Sequence, residues 1–181
     1  MRVRVLFVCT ANRARSPFAA ALLRRELEDR GLHTEVLSAG IMEGGRGCPD
    51  LVHDAAHAVG IDLADHCSRM LTPQILDESD LVVGMAREHV RHAVVLSPAS
   101  FGRSFTLREL VRRAEAVGPR RGELAPWLEA VHAGRAKEDL LGSSPDDDVA
   151  DPYGGPPAGY ARMASELEEL VRALAALVWP C

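Results

Sequence analysis

Lysine is almost absent from this chain: of its 21 basic residues, 20 are arginine and Lys137 stands alone. A single arginine therefore carries little information, and a formal net charge of -5 argues against a nucleic-acid partner. The arginines from Arg87 to Arg121 are interleaved with acids and apolar residues, the pattern of a solvated face. No apolar run approaches the ~18 residues that a membrane-crossing helix needs. The start, Met1 through Arg2 and Arg4 into a strand-like segment, lacks a signal-peptide pattern. The four cysteines, at 9, 48, 67 and 181, show no C-x-x-C spacing, so neither a zinc site nor a disulfide framework is indicated, and Cys181 reads as a bystander. The expectation is a cytoplasmic protein with reduced thiols, no metal or other cofactor, no membrane partner and an open oligomeric state.

What is present suits one α/β domain over residues 1–181: the chain is 47% hydrophobic and long enough to bury a core. Val3 to Val8 reads as a central parallel strand, apolar without interruption in its second half. Ser16 as N-cap and Pro17 at the first helical position open a helix with Phe18, Leu22, Leu23 and Leu27 on one side, ended by Gly31. Strands are expected at Thr34 to Ser38, Leu81 to Met85 and Val94 to Leu96, with helices at Pro49 to Val59, from Thr72-Pro73, and at Ala86 to His92. Thr106 with Glu109 forms a capping box before Leu107 to Ala116. The alternation predicts a doubly wound four-stranded parallel sheet in the order 2-1-3-4 with helices on both faces. Residues 117–148 read as a partly mobile insertion in which Leu124 to His132, with Pro126 and Trp127, is helical. Leu167, Leu170, Val171, Leu174 and Val178 form the core stripe of a final helix.

Cys9 to Ser16 spells C-x-x-x-x-x-R-S between the carboxyl end of the first strand and the amino end of the first helix. Backbone N–H groups in such a loop converge on an anion, and the helix dipole adds about half a positive charge. The predicted cradle is Thr10, Ala11, Asn12, Arg13, Ala14, Arg15 and Ser16. A helix N-terminus beside an arginine favours the thiolate of Cys9. The planar fork of Arg15 suits two oxygens of a transferring phosphoryl group, Ser16 can donate to the sulfur, and Asn12 suits a left-handed turn. Taken singly, Cys9 also reads as a small buried hydrophobe and Arg15 as an ordinary helix-start arginine. Phosphoryl transfer needs an acid for the leaving group, and Asp151 in DPYGG is the candidate, although spacing alone favours a turn-forming Asp before Pro.

VCTANRARSP together with ADPYGG resembles the low-molecular-weight protein tyrosine phosphatase family. The likeness runs through SAG at Ser38 to Gly40, GIDLADHCSRMLT at Gly60 to Thr72, the strand LVVGM and the last helix. It implies Cys9 as nucleophile, Arg15 as phosphate clamp and Asp151 as general acid and then base, without a metal. It also implies Tyr153 lining the substrate pocket, and His66 and Ser38 hydrogen-bonding the loop around Asn12. Three departures stand out: Ala11 where the family usually has Gly, Ala14 where it usually has a second Cys, and Arg13 where the tyrosine branch carries a bulky aliphatic residue. The related protein-arginine phosphatases have threonine at that last position.

The leading reading is hydrolysis of phosphotyrosine in proteins through a cysteinyl-phosphate intermediate, since Arg13 repels a guanidinium leaving group and Tyr153 suits an aromatic ring. DPYGG, SFTLRELV and SELEELVRAL resemble the phosphoarginine branch and keep that alternative open. Arsenate reduction would need resolving cysteines, for which Cys48 and Cys67 are the internal candidates. A phosphate-binding pseudoenzyme would have no use for Asp151. No G-x-G-x-x-G or Walker motif supports nucleotide binding.

Overall fold

β1 (Arg4–Cys9) is an inner strand of a four-stranded sheet with the order β2-β1-β3-β4, in which β2 is Glu35–Gly40, β3 Leu81–Gly84 and β4 Ser104–Thr106. Every pair is parallel. The structure, a computed structural model, describes residues 3–180, so Cys181 lies outside the described residues. Side chains alternate along β1 because successive Cβ atoms leave opposite faces of a strand. Val5, Phe7 and Cys9 enter a buried cluster with α1 (Arg15–Asp29), α2 (Asp50–Ala58), α5 (Leu107–Val117), α6 (Leu124–His132) and α7 (Pro157–Val178). Leu6 and Val8 enter a second cluster with α3 (Pro73–Asp77) and α4 (Arg87–Leu96). Each fully buried Leu or Phe contributes roughly 1.5–3 kcal/mol of burial, and the apolar run of β1 serves both faces. Within residues 117–148, Trp127, Leu128 and Val131 of α6 belong to the first cluster.

Three local expectations need correction. Val94 to Leu96 is not a strand: it completes α4, where His89, Val90, Ala93 and Val94 are buried on one side and Val95 is exposed. A three-residue apolar run fits either period, and the helical stripe that precedes it decides. The fourth strand is Ser104–Thr106 instead, three residues with polar ones at both ends, yet buried throughout. Ser16 does not cap α1: the helix begins at Arg15, Ala14 occupies the cap position, and no side chain caps it. The Thr106 hydroxyl does accept from Glu109 N at 3.2 Å, but the Glu109 carboxylate pairs with Arg135 at 2.6 Å rather than closing the box.

The register sets Cys9 opposite Gly40, Val8 opposite Gly84, and Gly84 opposite Thr106. The strands therefore end along one edge, and the loop after β1 opens between neighbours whose chains leave in opposite directions, where doubly wound sheets bind ligands. Gly40 is required there by contact. A Cβ on it would lie 2.8 Å from Asn12 N and from Thr10 O, both backbone atoms. Gly40→Ala is expected to lower unfolding stability by about 1–3 kcal/mol, the usual range for overpacking; urea denaturation reads this, and an unchanged midpoint would contradict the close approach.

Candidate active site

The loop from Cys9 to Arg15 is tied together through Asn12, which is fully buried and is the one non-glycine residue with positive φ (53°) among those described. Its amide donates to Ser16 Oγ at 2.9 Å, its Oδ1 accepts from Arg69 N at 3.0 Å, and its carbonyl accepts from His66 Nε2 at 2.7 Å. Every polar atom of that side chain thus has a partner, as a buried amide requires. Ala11 keeps negative φ, so alanine fits where a left-handed backbone would have demanded glycine. Ser16 Oγ lies 2.9 Å from Cys9 Sγ and 3.3 Å from Ala39 O. With the Asn12 amide already donating to it, the hydroxyl has one proton for these two acceptors, and the sulfur is the nearer. This is the physical reason Ser16 is not a helix cap.

Arg15 is 4% exposed and begins α1, so its guanidinium folds back over the cradle. Nη1 donates to Val149 O at 3.1 Å, and Nη2 to Thr10 Oγ1 at 3.0 Å and to Asp151 Oδ2 at 2.5 Å. The other Asp151 oxygen accepts from Tyr153 N at 3.1 Å, an Asx turn that aims the carboxylate at the cleft. The segment bearing Asp151 is anchored on both sides: Val149 N donates to Met85 O at 2.7 Å, and the Asp148 carboxylate accepts from Arg87 N at 2.8 Å. Asp147 accepts from Arg87 at 2.7 Å and from Arg112 at 2.8 Å. Burial alone would raise the Asp147 carboxyl, but the two arginines together hold it below the usual carboxylate range. Cys9, Arg15, Asp151 and Tyr153 therefore meet, from distant parts of the chain, around one cleft of about 650 Å³.

Residues 4–118 match the family described as low molecular weight phosphotyrosine protein phosphatase. The chain belongs to that family. It is similar to a protein-arginine-phosphatase of Bacillus subtilis (strain 168), 32% identical over 94% of this chain and 93% of that one. A probable low molecular weight protein-tyrosine-phosphatase, EpsP, of Ralstonia nicotianae is 33% identical over 70% of this chain and 85% of its own. Among solved structures, the low molecular weight protein tyrosine phosphatase from T. tengcongensis superposes with a TM-score of 0.72 at 30% identity, covering 95% of this chain and 97% of that one.

The rim of the cleft combines apolar and charged groups. Ile41, Met42, Met70 and Tyr153 line it, and Tyr153 is 72% exposed. Arg13 lies across the edge, its Nε donating to Gly47 O at 2.8 Å, rather than pointing to the floor. Ser38 is buried in β2, but among the described residues its hydroxyl makes no hydrogen bond to the Asn12 turn; its carbonyl accepts from Arg69 Nε at 2.8 Å. Arg69 holds both the turn and β2, a role unreadable in a chain so rich in arginine. Cys48 and Cys67 are free thiols, and burial pushes the Cys48 thiol up to about 11. Among the described residues no helix is long and apolar enough to cross a membrane.

His89 also went unread in the sequence. It is fully buried in the first turn of α4, and burial, reinforced by the charges of Arg15 and His92, pushes it down to about 3. His66 is lowered as well, by burial ahead of the raising effect of its Asn12 hydrogen bond. A histidine that stays neutral when folded but takes a proton near pH 6.5 when unfolded leaves stability intact above that pH. Stability is then lost as pH falls from about 6.5 toward 3. For His89 alone the loss between pH 6.5 and 5 is about 2 kcal/mol. Denaturant midpoints measured across that interval should fall, and a flat profile would rule out the buried neutral imidazole.

Proposed function

We propose that this chain is a metal-independent protein tyrosine phosphatase that works through a cysteinyl-phosphate intermediate. Cys9 Sγ attacks phosphorus as the bond to the phenolic oxygen breaks, and Asp151 gives that oxygen its proton. Asp151 then takes a proton from the water that attacks phosphorus and releases the thiolate, to which Ser16 donates. Arg15 and the backbone amides of Thr10 to Arg15 carry the charge on the equatorial oxygens. The observation that carries this reading is the position of Arg15 Nη2, 3.0 Å from the cradle hydroxyl of Thr10 and 2.5 Å from Asp151. One guanidinium therefore joins the anion site to the acid.

The apolar walls at Ile41, Met42 and Met70, with the ring of Tyr153, suit an aromatic leaving group, and Arg13 on the rim opposes a cationic one. Hydrolysis of phosphoarginine is the second reading, favoured by the whole-length likeness to protein-arginine-phosphatases. Arsenate reduction through Cys48 is disfavoured, because burial raises that thiol and makes it a poor resolving nucleophile. The need for a reduced Cys9 favours a cytoplasmic site of action, and we treat residues 1–181 as one phosphatase domain in which 117–148 is a packed elaboration.

The test is turnover of phosphotyrosine and phosphoarginine peptides side by side, with chelator present. Release from the phosphotyrosine peptide is expected to dominate. Preference for phosphoarginine would transfer the chain to the second reading, and release from neither peptide despite phosphate binding would mark it as a binding module.

A further inference from the structure

We propose that His89 is a positioning residue of this active site, holding Arg15 in its phosphate-binding orientation through the hydroxyl of Thr10. The inference rests on the reading of Cys9 and Arg15 given above. His89 Nε2 lies 3.0 Å from Thr10 Oγ1, and the same oxygen accepts from Arg15 Nη2 at 3.0 Å. The imidazole has no exposed surface, and its Nδ1 is buried without a hydrogen-bond partner. A buried polar ring with one orphaned nitrogen is poorly explained by packing alone, because an apolar side chain of similar size would fill the space without the desolvation cost.

The tautomer follows from the partners. Orphaning an N–H is the rarer outcome in folded proteins, so the proton belongs on Nε2 and the bare Nδ1 is left as an unpaired acceptor. Nε2–H then donates to Thr10 Oγ1, whose lone pairs receive both His89 and Arg15. The Thr10 hydroxyl proton is left free for an anion in the cleft, which Thr10 lines. Burial and the neighbouring Arg15 and His92 charges keep the ring neutral at working pH, so it supplies direction without adding charge. Glu88, whose carboxylate lies 3.4 Å from Nε2, is half exposed and is the acidic group nearest the ring in the structure.

Gly84 makes this placement possible. A Cβ there would lie 2.8 Å from Val90 Cγ2 and 3.2 Å from His89 Cβ, so only glycine lets the first turn of α4 close against the end of β3. The imidazole thereby reaches the loop at Thr10, whereas His66 meets it at the Asn12 carbonyl. The two contacts support different parts of the loop: His66 its backbone turn, His89 the clamp.

The experiment compares His89→Leu, His89→Gln, Thr10→Val and the Thr10→Val/His89→Leu double variant with the unmodified enzyme. Readouts are kcat, KM, the inhibition constant of inorganic phosphate, and the melting temperature. His89→Leu is expected to weaken phosphate inhibition and kcat/KM about tenfold, the size of one lost hydrogen bond to a charged group's partner, without lowering the melting temperature in proportion. His89→Gln, whose amide nitrogen can reach the place of Nε2, should recover most of the loss. The double variant should be no worse than Thr10→Val alone, because both act through one oxygen. Unchanged phosphate inhibition in His89→Leu, equal losses in the Leu and Gln variants, or losses that multiply in the double variant would each overturn the proposal. If His89→Leu does not fold, Thr10→Val and His89→Gln still decide it. A failure of the underlying reading looks different: Cys9→Ser would keep its turnover, or phosphate would not inhibit the unmodified enzyme.

Discussion

Cys9→Ser is expected to stop phosphate release to the limit of detection while leaving the anion site intact. The two functions separate because different atoms perform them. In the proposed mechanism phosphate is held by the backbone of the loop and by Arg15, whose bonds to Val149 O, Thr10 and Asp151 do not involve the sulfur. The chemistry, by contrast, needs an atom that is nucleophilic at neutral pH in the first step and a good leaving group in the second, and a serine oxygen is neither. Inorganic phosphate should bind the variant at least as tightly as the parent, since a neutral hydroxyl replaces a group that repels the dianion when ionised. Phosphate-release assays and calorimetric titration with inorganic phosphate check the two halves independently. Residual multiple turnover would remove Cys9 from the mechanism, and lost phosphate binding would show that the sulfur also maintains the loop.

How much of this was legible beforehand depended on the range of the interactions. The sheet order and the strand–loop–helix unit at Cys9 are written in contiguous residues, through the apolar run of β1 and the glycines after α1 and α2, Gly31 and Gly60, which have positive φ of 68° and 73°. The left-handed turn at Asn12 was readable for the same reason, as one of the few residue types that tolerate it. Where the period was ambiguous the reading failed: Val94 to Leu96 matches a strand as well as a helix end, and the real β4 is three residues with two polar side chains. The Ser16 error has another origin. A serine before a proline is a good local cap, but a local rule cannot anticipate that the hydroxyl is engaged 2.9 Å from a cysteine seven residues earlier.

The residues that went unread share a feature. His89 and Arg69 act on the loop from 79 and 57 residues away along the chain, through contacts with Thr10 and Asn12 that no spacing rule encodes. Asp151 would have been missed for the same reason, since Asp-Pro reads as a turn; only the resemblance of DPYGG to a known family singled it out. The Asx turn to Tyr153 N uses one carboxylate oxygen and leaves the other to meet Arg15, so the turn and a place at the cleft are compatible in one residue.

That dual engagement makes the Asp151→Asn variant the sharper test of mechanism. With a phenolic leaving group kcat should fall about 10²–10⁴, the usual contribution of a positioned general acid. An asparagine preserves the Tyr153 turn and the shape of the cleft but cannot deliver a proton. Asp151 also engages Arg15 Nη2 at 2.5 Å, with 44% of its side chain exposed, and so competes with a phosphate for that donor. Removing its charge should therefore tighten inhibition by inorganic phosphate while kcat collapses, two parameters moving in opposite senses. The loss in kcat should shrink as the leaving group becomes more acidic, because a stable phenolate departs without a proton. A series of substituted aryl phosphates, assayed with and without inorganic phosphate as inhibitor, supplies all three readouts. A loss that is the same for every leaving group, accompanied by weaker phosphate binding, would mean that Asp151 only orients Arg15 and that the proton comes from elsewhere.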